Sequence, residues 1–229
     1  MKIGGLQKLS TIDFPKYISC VVFCLGCNMD CFYCHNRKLI SFDSDEVISE
    51  EEIFRFLKAR NEILEGVVIS GGEPTLQQDL LDFIKKIKLL GYKVKLDSNG
   101  LKPQIIEKIL PYLDYLAIDI KATSDDYSKV CHSSKDSFKY VAETINILLK
   151  SKINFEGRTT MYPKMTINDL INILKSIPPL PRYRLNFYKK PIFYKEKDED
   201  LINEVFITKD EISINIEKLL QYQPNLIVV

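Results

Sequence analysis

Cys27, Cys31 and Cys34 stand in a C-x3-C-x2-C spacing that lets one tight loop present three thiolates to a single inorganic centre. Thiolates are the usual protein ligands of iron–sulfur clusters, and three of them can hold three irons of a cubane. The fourth iron is then left open to a small molecule bearing an amine and a carboxylate, and the absence of a fourth cysteine nearby in the sequence is part of that reading. Cys20, Cys24 and Cys27 repeat the same spacing upstream. Cys20 and Cys24, however, fall in or beside an apolar run, where residues four apart share a strand face yet lie too far apart to wrap one cluster. They read as small buried hydrophobes, and the isolated Cys131 reads the same way. The alternative for the downstream trio is a zinc site with His35 as fourth ligand. Adjacent residues rarely converge on one tetrahedral ion, and no paired ligands follow downstream.

The loop must be carried by something rigid. Ile18 to Phe23 is a β-branched apolar run that reads as a buried strand, so the cysteines begin where that strand ends. Ser49, followed by three glutamates and then apolar residues at helical spacing, reads as an N-capped helix closed by Gly66. The alternation then repeats. Val67 to Ser70 is a strand ending at Gly-Gly-Glu-Pro, and residues 77–90 form an amphipathic helix. Strand 92–97 leads to helix 103–110, strand 115–121 to helix 137–150, strand 154–162 to helix 167–177, and 182–188 is a sixth strand. Six strand-to-helix units in series predict an α/β fold, a partial (β/α)6 barrel of parallel strands with outer helices, because parallel strands need crossover connections. A doubly wound open sheet follows from the same pattern. In either case the functional loops belong at the carboxyl ends of the strands.

The 229 residues predict a single domain over 1–229, with a core of about 16–190 and a C-terminal extension of about 191–229. Within that extension, residues 189–205 are charged and irregular, and a final helix is predicted near 210–221. Lys plus Arg number 32 against 31 Asp plus Glu, so the chain as a whole lacks the basic excess that draws proteins to nucleic acid or anionic lipid. No apolar run reaches the roughly 20 residues of a membrane span, and the first residues do not read as a secretory signal. A cytoplasmic protein with reduced thiols is the expectation.

The cysteine trio, Tyr33 before its last member, and Ser70-Gly71-Gly72-Glu73-Pro74 together resemble the radical S-adenosylmethionine (SAM) superfamily. The string CNMDCFYCHN is similar to the glycyl-radical-enzyme activases. The opening MKIGGLQKLSTIDFPKYISCVVF and the later GRTTMYP look most like activating proteins of anaerobic ribonucleoside-triphosphate reductases. The resemblance implies one 4Fe-4S cluster on Cys27, Cys31 and Cys34, SAM on the open iron, and an external one-electron donor such as flavodoxin or ferredoxin. It also implies a 5′-deoxyadenosyl radical that takes hydrogen from a glycine of a partner glycyl radical enzyme, here anaerobic ribonucleotide reductase. Radical chemistry on a small molecule or peptide is the enzymatic alternative, and a zinc-stabilised or electron-transfer module the non-enzymatic one.

The resemblance also distributes roles. Tyr33 packs near the adenine, with His35 on the same wall, as an amphipathic ring suits a nucleobase face. Gly71, Gly72 and Glu73 meet the amino group of the methionine moiety, glycine permitting close backbone approach and Glu73 adding a negative field. Asp97, Ser98 and Asn99, before Gly100, suit ribose hydroxyls. Asp119 and Lys121 form a D-x-K pair whose lysine meets the methionine carboxylate, and Arg158 is a second candidate for that carboxylate. Formate-lyase activases carry a histidine near the sixth strand; the two histidines here are His35 and His132, which leaves Asn186 or Tyr188 to complete the adenosyl pocket.

Overall fold

Strand β2 (Ser19–Cys24) overlaps the apolar run Ile18 to Phe23 that the sequence marks as the first buried strand, displaced by one residue toward the cysteine loop. In the computed structural model, which describes residues 1–229, five strands follow it in parallel and in chain order. These are β3 (Gly66–Gly71), β4 (Lys93–Ser98), β5 (Tyr115–Asp119), β6 (Asn154–Met161) and β7 (Tyr183–Phe187). The crossovers are α1 (Glu50–Lys58), α2 (Leu80–Leu89), α3 (Pro103–Ile109), α4 (Tyr127–Cys131) with α5 (Ser137–Lys150), and α6 (Ile167–Lys175). Ser49 caps α1 as predicted, its hydroxyl accepting the Glu52 N–H while the Glu52 carboxylate accepts the Ser49 N–H. The six-strand partial barrel is therefore present, with its helices outside.

Two strands extend it. β1 (Ile3–Ser10) pairs antiparallel with β2, and β8 (Leu226–Val228) pairs parallel with β7, giving an eight-stranded sheet in the order β1 to β8. β1 breaks the expected pattern because Gly4, Gly5, Gln7 and Lys8 interrupt any apolar alternation, and its stretch from Gln7 to Leu9 is exposed. β8 has only three residues, too few to show a period. The chain returns to the sheet through α7 (Glu199–Ile202) and α8 (Lys209–Leu220), so the C-terminal segment adds a strand as well as the expected helix. β1 and β8 do not pair with each other, and the barrel stays open between them.

Alternation along the strands sorts side chains into two layers. Cys20, Val22, Cys24, Val67, Ile69, Val94, Leu96, Leu116 and Ile118 join helix residues such as Ile84, Ile106 and Ile145 in the main core. The opposite face begins with a separate plug of Phe14, Val21, Val68 and Tyr115. Nearer the carboxyl ends of the strands the same face switches to Lys95, Asp97, Asp119 and Arg158, and there the chemistry lies.

Candidate active site

The carboxyl ends of β2 to β7 surround a cavity of about 550 Å³, within the range of small-molecule sites. The loop after β2 brings Cys27, Cys31, Tyr33, Cys34 and His35 to it; β3 brings Gly71, Gly72 and Glu73; and β4 brings Asp97, Ser98 and Asn99. Asp119 and Lys121 arrive from β5, Arg158 from β6, and Asn186 and Tyr188 from the end of β7. Every residue singled out from the sequence lines this one cavity.

The cysteine loop is held by its backbone. Gly26 N–H donates to Leu39 O at 2.8 Å, Cys27 N–H to Ile40 O at 2.9 Å, and Cys34 N–H to Cys31 O at 3.0 Å. Burial pushes the Cys27 thiol up to about 12, partly offset by the Met29 N–H that donates to its sulfur at 3.4 Å. Burial likewise raises the Cys34 thiol. A metal held by this loop would have to displace those protons. No three His, Cys, Asp or Glu side chains converge on one point as a mononuclear ion requires; Cys27, Cys31 and Cys34 all line the one cavity. Cys20 and Cys24 are buried in the helix-facing layer, as the sequence predicts.

Cys131 is buried as expected but is not isolated. It ends α4 directly against Cys31 and is the foremost influence raising the Cys31 thiol, ahead of burial itself. A fourth cysteine thus lies beside the trio in space, which the separation of 100 positions conceals in sequence.

Gly71 and Gly72 serve close packing. A Cβ on Gly71, whose φ is +117°, would stand 2.3 Å from Cys24 N, and one on Gly72 would stand 2.2 Å from Gly26 O. Their neighbourhood is bonded to the cysteine loop, Gly72 N–H donating to Cys24 O at 2.9 Å and Glu73 N–H to Gly26 O at 2.7 Å. With those donors occupied, the acceptors left to the segment are its carbonyl oxygens, of which Gly71 O accepts from Asn36 Nδ2 at 3.5 Å; carbonyl oxygens are the acceptors that suit an ammonium group. Glu73 does more than supply a negative field. Its buried carboxylate accepts from Thr75 N–H, Thr75 Oγ1, Ser98 Oγ at 2.8 Å and Asn99 N–H at 2.7 Å, tying the segment after β3 to the segment after β4. Burial raises its pKa against the pull of these hydrogen bonds. Asn99 is further fixed by its amide, which donates to Asn28 Oδ1 at 2.8 Å.

Across β4, β5 and β6 runs a row of alternating charge. Lys95 meets Asp97 at 2.5 Å, Arg158 meets Asp97 at 3.2 Å and Asp119 at 3.0 Å, and Asp119 meets Lys121 at 3.1 Å. Burial alone would raise Asp119, but Lys121 and Arg158 overcome it and hold the carboxyl at about 2. Asp97 is held low in the same way by Arg158 and Lys95. Three cations against two carboxylates leave the row one positive charge in excess, which a ligand carboxylate can neutralise.

Tyr33 stacks on Tyr162, with ring centroids 5.0 Å apart and planes 21° apart, while Phe32 meets both rings edge-on. The Tyr33 hydroxyl is buried without a hydrogen-bond partner. His35 is exposed at the cavity rim. Sequence reasoning missed Arg184, Thr160, Asn36 and the terminal Val229, all of which line the cavity. Arg184 and Thr160 were open to discovery, since each sits two residues from a named candidate on the same strand face; Arg184 donates to Asn186 Oδ1 at 2.8 Å.

The family model of the radical SAM superfamily matches residues 21–177, from β2 to just past α6. The chain belongs to that superfamily. Its cofactors are accordingly a 4Fe-4S cluster and SAM, and the donor chemistry of three thiols beside a cationic row fits both. A protein of Methanocaldococcus jannaschii, provisionally named a glycyl-radical enzyme activating enzyme, is 36% identical over 209 residues, covering 87% of this chain and 85% of that one. The pyruvate formate-lyase-activating enzyme of Clostridium pasteurianum is 30% identical over 196 residues, covering 80% of each. With these relatives the chain is a radical SAM enzyme of the glycyl-radical-enzyme activating type. The crystal structure of Streptococcus suis SuiB bound to S-adenosylmethionine shares its fold, with a TM-score of 0.63 at 16% identity over 91% of this chain and 49% of that one. No helix of this radical SAM enzyme is long and apolar enough to cross a membrane.

Proposed function

We propose that this radical SAM enzyme activates a glycyl radical enzyme, specifically an anaerobic ribonucleoside-triphosphate reductase, with a flavodoxin or ferredoxin supplying the electron. The observation that carries the reading is the meeting of three loop thiols and a net cationic row in one cavity at the carboxyl ends of the strands. The reduced cluster, when bound, supplies the electron that cleaves SAM to methionine and a 5′-deoxyadenosyl radical. The chain's residues do the rest. Cys27, Cys31 and Cys34 hold the cluster. Lys121 and Arg158 receive the methionine carboxylate, and the backbone of Gly71 to Glu73 receives its ammonium. Asp97, Ser98 and Asn99 face the ribose, while Tyr33, His35, Asn186 and Tyr188 enclose the adenosyl group. The gap between β1 and β8 leaves a side through which a loop of a partner protein can approach. The choice of reductase rests on the N-terminal stretch Lys2 to Phe23 and on Gly157 to Pro163, which look most like the activators of that enzyme.

Anaerobic reconstitution with SAM, a reductant and the reductase tests this. A glycyl doublet in electron paramagnetic resonance is expected. A doublet with pyruvate formate-lyase instead would reassign the partner, and 5′-deoxyadenosine release with no protein radical on either would move the substrate to a small molecule or peptide.

A further inference from the structure

The hydrogen-bond partners of its polar side chains divide the cavity wall in two. On β4 and β5 these groups serve one another or the protein nearby: Asp97 and Asp119 hold Lys95, Arg158 and Lys121, while Ser98 and Asn99 are bonded to Glu73 and Asn28. The face shared by β6 and β7 is different. Its register sets Arg158 beside Arg184 and Thr160 beside Asn186, and all four residues line the cavity. Arg158 is committed to the two aspartates. Arg184 pairs with no carboxylate; its one side-chain bond runs from Nε to Asn186 Oδ1 at 2.8 Å, which fixes the guanidinium and leaves Nη1 and Nη2 as donors. Thr160, half-buried on the same face, bonds no protein group through its hydroxyl. An arginine set beside another with no acid of its own costs stability, because like charges on neighbouring strands repel. An acceptor on a ligand offsets that cost.

This face also lies next to the opening. Only the three-residue β8 separates β7 from the gap, and the cavity reaches both lips of that gap, through Ile12 just past β1 and Val229 just past β8, both exposed. A chain entering there meets β7 before it meets the charged row. A glycine offered for loss of a Cα hydrogen has no side chain by which to be held. What it brings is peptide carbonyls, one on either side of the reacting carbon, and these lose their water as the chain enters the cavity. A buried carbonyl left without a donor is costly, and a guanidinium supplies a charge-assisted one. We propose that Arg184 is the anchor for the substrate's backbone, its Nη groups donating to a peptide carbonyl that flanks the target glycine, while Lys121 and Arg158 stay with SAM. The inference rests on the reading of this protein as an activator of a glycyl radical enzyme.

The test uses the reconstituted holoenzyme with anaerobic ribonucleoside-triphosphate reductase as the probe. It compares KM for the reductase, read from the initial rate of the glycyl doublet, with KM for SAM, read from 5′-deoxyadenosine release. Arg184→Gln is expected to raise KM for the reductase roughly tenfold or more, as loss of a charge-assisted bond to a ligand predicts, and KM for SAM by less. An unchanged KM for the reductase overturns the proposal. So does a rise in KM for SAM that equals or exceeds the rise for the reductase, which gives Arg184 to the methionine carboxylate instead. Should the glutamine variant fail to fold, Arg184→Lys decides, because a single nitrogen cannot serve both Asn186 and a peptide carbonyl; an unchanged KM for the reductase there is the overturning result. A wild-type enzyme that forms no glycyl doublet removes the function on which the anchor rests, whereas a normal wild-type doublet with unaltered variants removes the anchor alone.

Discussion

Arg158 grips two carboxylates on neighbouring strands with two different nitrogens: Nη1 lies 3.2 Å from Asp97 Oδ2 and Nε lies 3.0 Å from Asp119 Oδ1. A lysine keeps the charge but has one nitrogen and cannot make the same fork. Losing one of these internal charge-assisted hydrogen bonds costs the fold about 1.5–3 kcal/mol, and with the fork gone from the row that would receive the methionine carboxylate, Arg158→Lys is expected to raise KM for SAM. Steady-state release of 5′-deoxyadenosine measures it, and an unchanged KM removes Arg158 from the binding of SAM.

Glu73 joins two loops through four accepted hydrogen bonds. In Glu73→Gln one acceptor oxygen becomes an NH2 that faces donors. The fold is expected to lose about 1–3 kcal/mol and SAM affinity to fall with it, because Ser98 and Asn99 lose their anchor. Chemical denaturation and equilibrium dialysis report the two effects; a variant as stable as wild type would show that the carboxylate is not the link.

Acid should reveal the charged row. Asp119 is held at about 2 in the folded chain, below its unfolded value of about 3.9. A carboxyl depressed by folding stabilises the fold fully above the unfolded pKa, and the contribution is lost as pH falls from about 4 through about 2. Asp119→Asn is expected to lower the urea midpoint at pH 7 and to narrow the gap between variant and wild type at pH 3. Parallel curves across that window would contradict the assignment.

The two overlapping cysteine triads predict opposite outcomes. Alanine at Cys27, Cys31 or Cys34 is expected to abolish a full complement of iron and sulfide, whereas alanine at Cys20 or Cys24 keeps the cluster and costs only packing, since those side chains lie in the helix-facing core. Elemental analysis of anaerobically reconstituted protein decides between them.

Gly71→Ala places a Cβ 2.3 Å from Cys24 N at a φ of +117°, a backbone conformation that disfavours every residue with a side chain. Strand β3 or the cysteine loop must shift. Iron loading per folded chain should drop several-fold, and a fully loaded variant would show that the loop tolerates the displacement.

Much of this site was legible because its parts are local. The C-x3-C-x2-C loop, Gly-Gly-Glu-Pro, Asp97 to Asn99 and the Asp119–Lys121 pair each lie within a few residues of a strand end, and an apolar run followed by a helix identifies that end. What escaped depends on contacts between distant segments. Glu73 reads as a field-setting carboxylate until the fold brings Ser98 and Asn99 to it. Cys131 looks solitary until α4 docks on the cysteine loop. β1 carries too many polar and glycine residues to announce a strand, and its pairing is decided by β2 being there to receive it. Lys195 lies in a segment legible only as charged surface, yet it pairs with Asp30, which Arg37 also holds at 2.6 Å.

The base of the barrel is closed by Phe14, Val21, Val68 and Tyr115. Traffic therefore has to use the upper rim and the adjoining slit. On the proposed function, a partner protein seated there would stopper the chamber, and SAM would then have to be bound before it arrives.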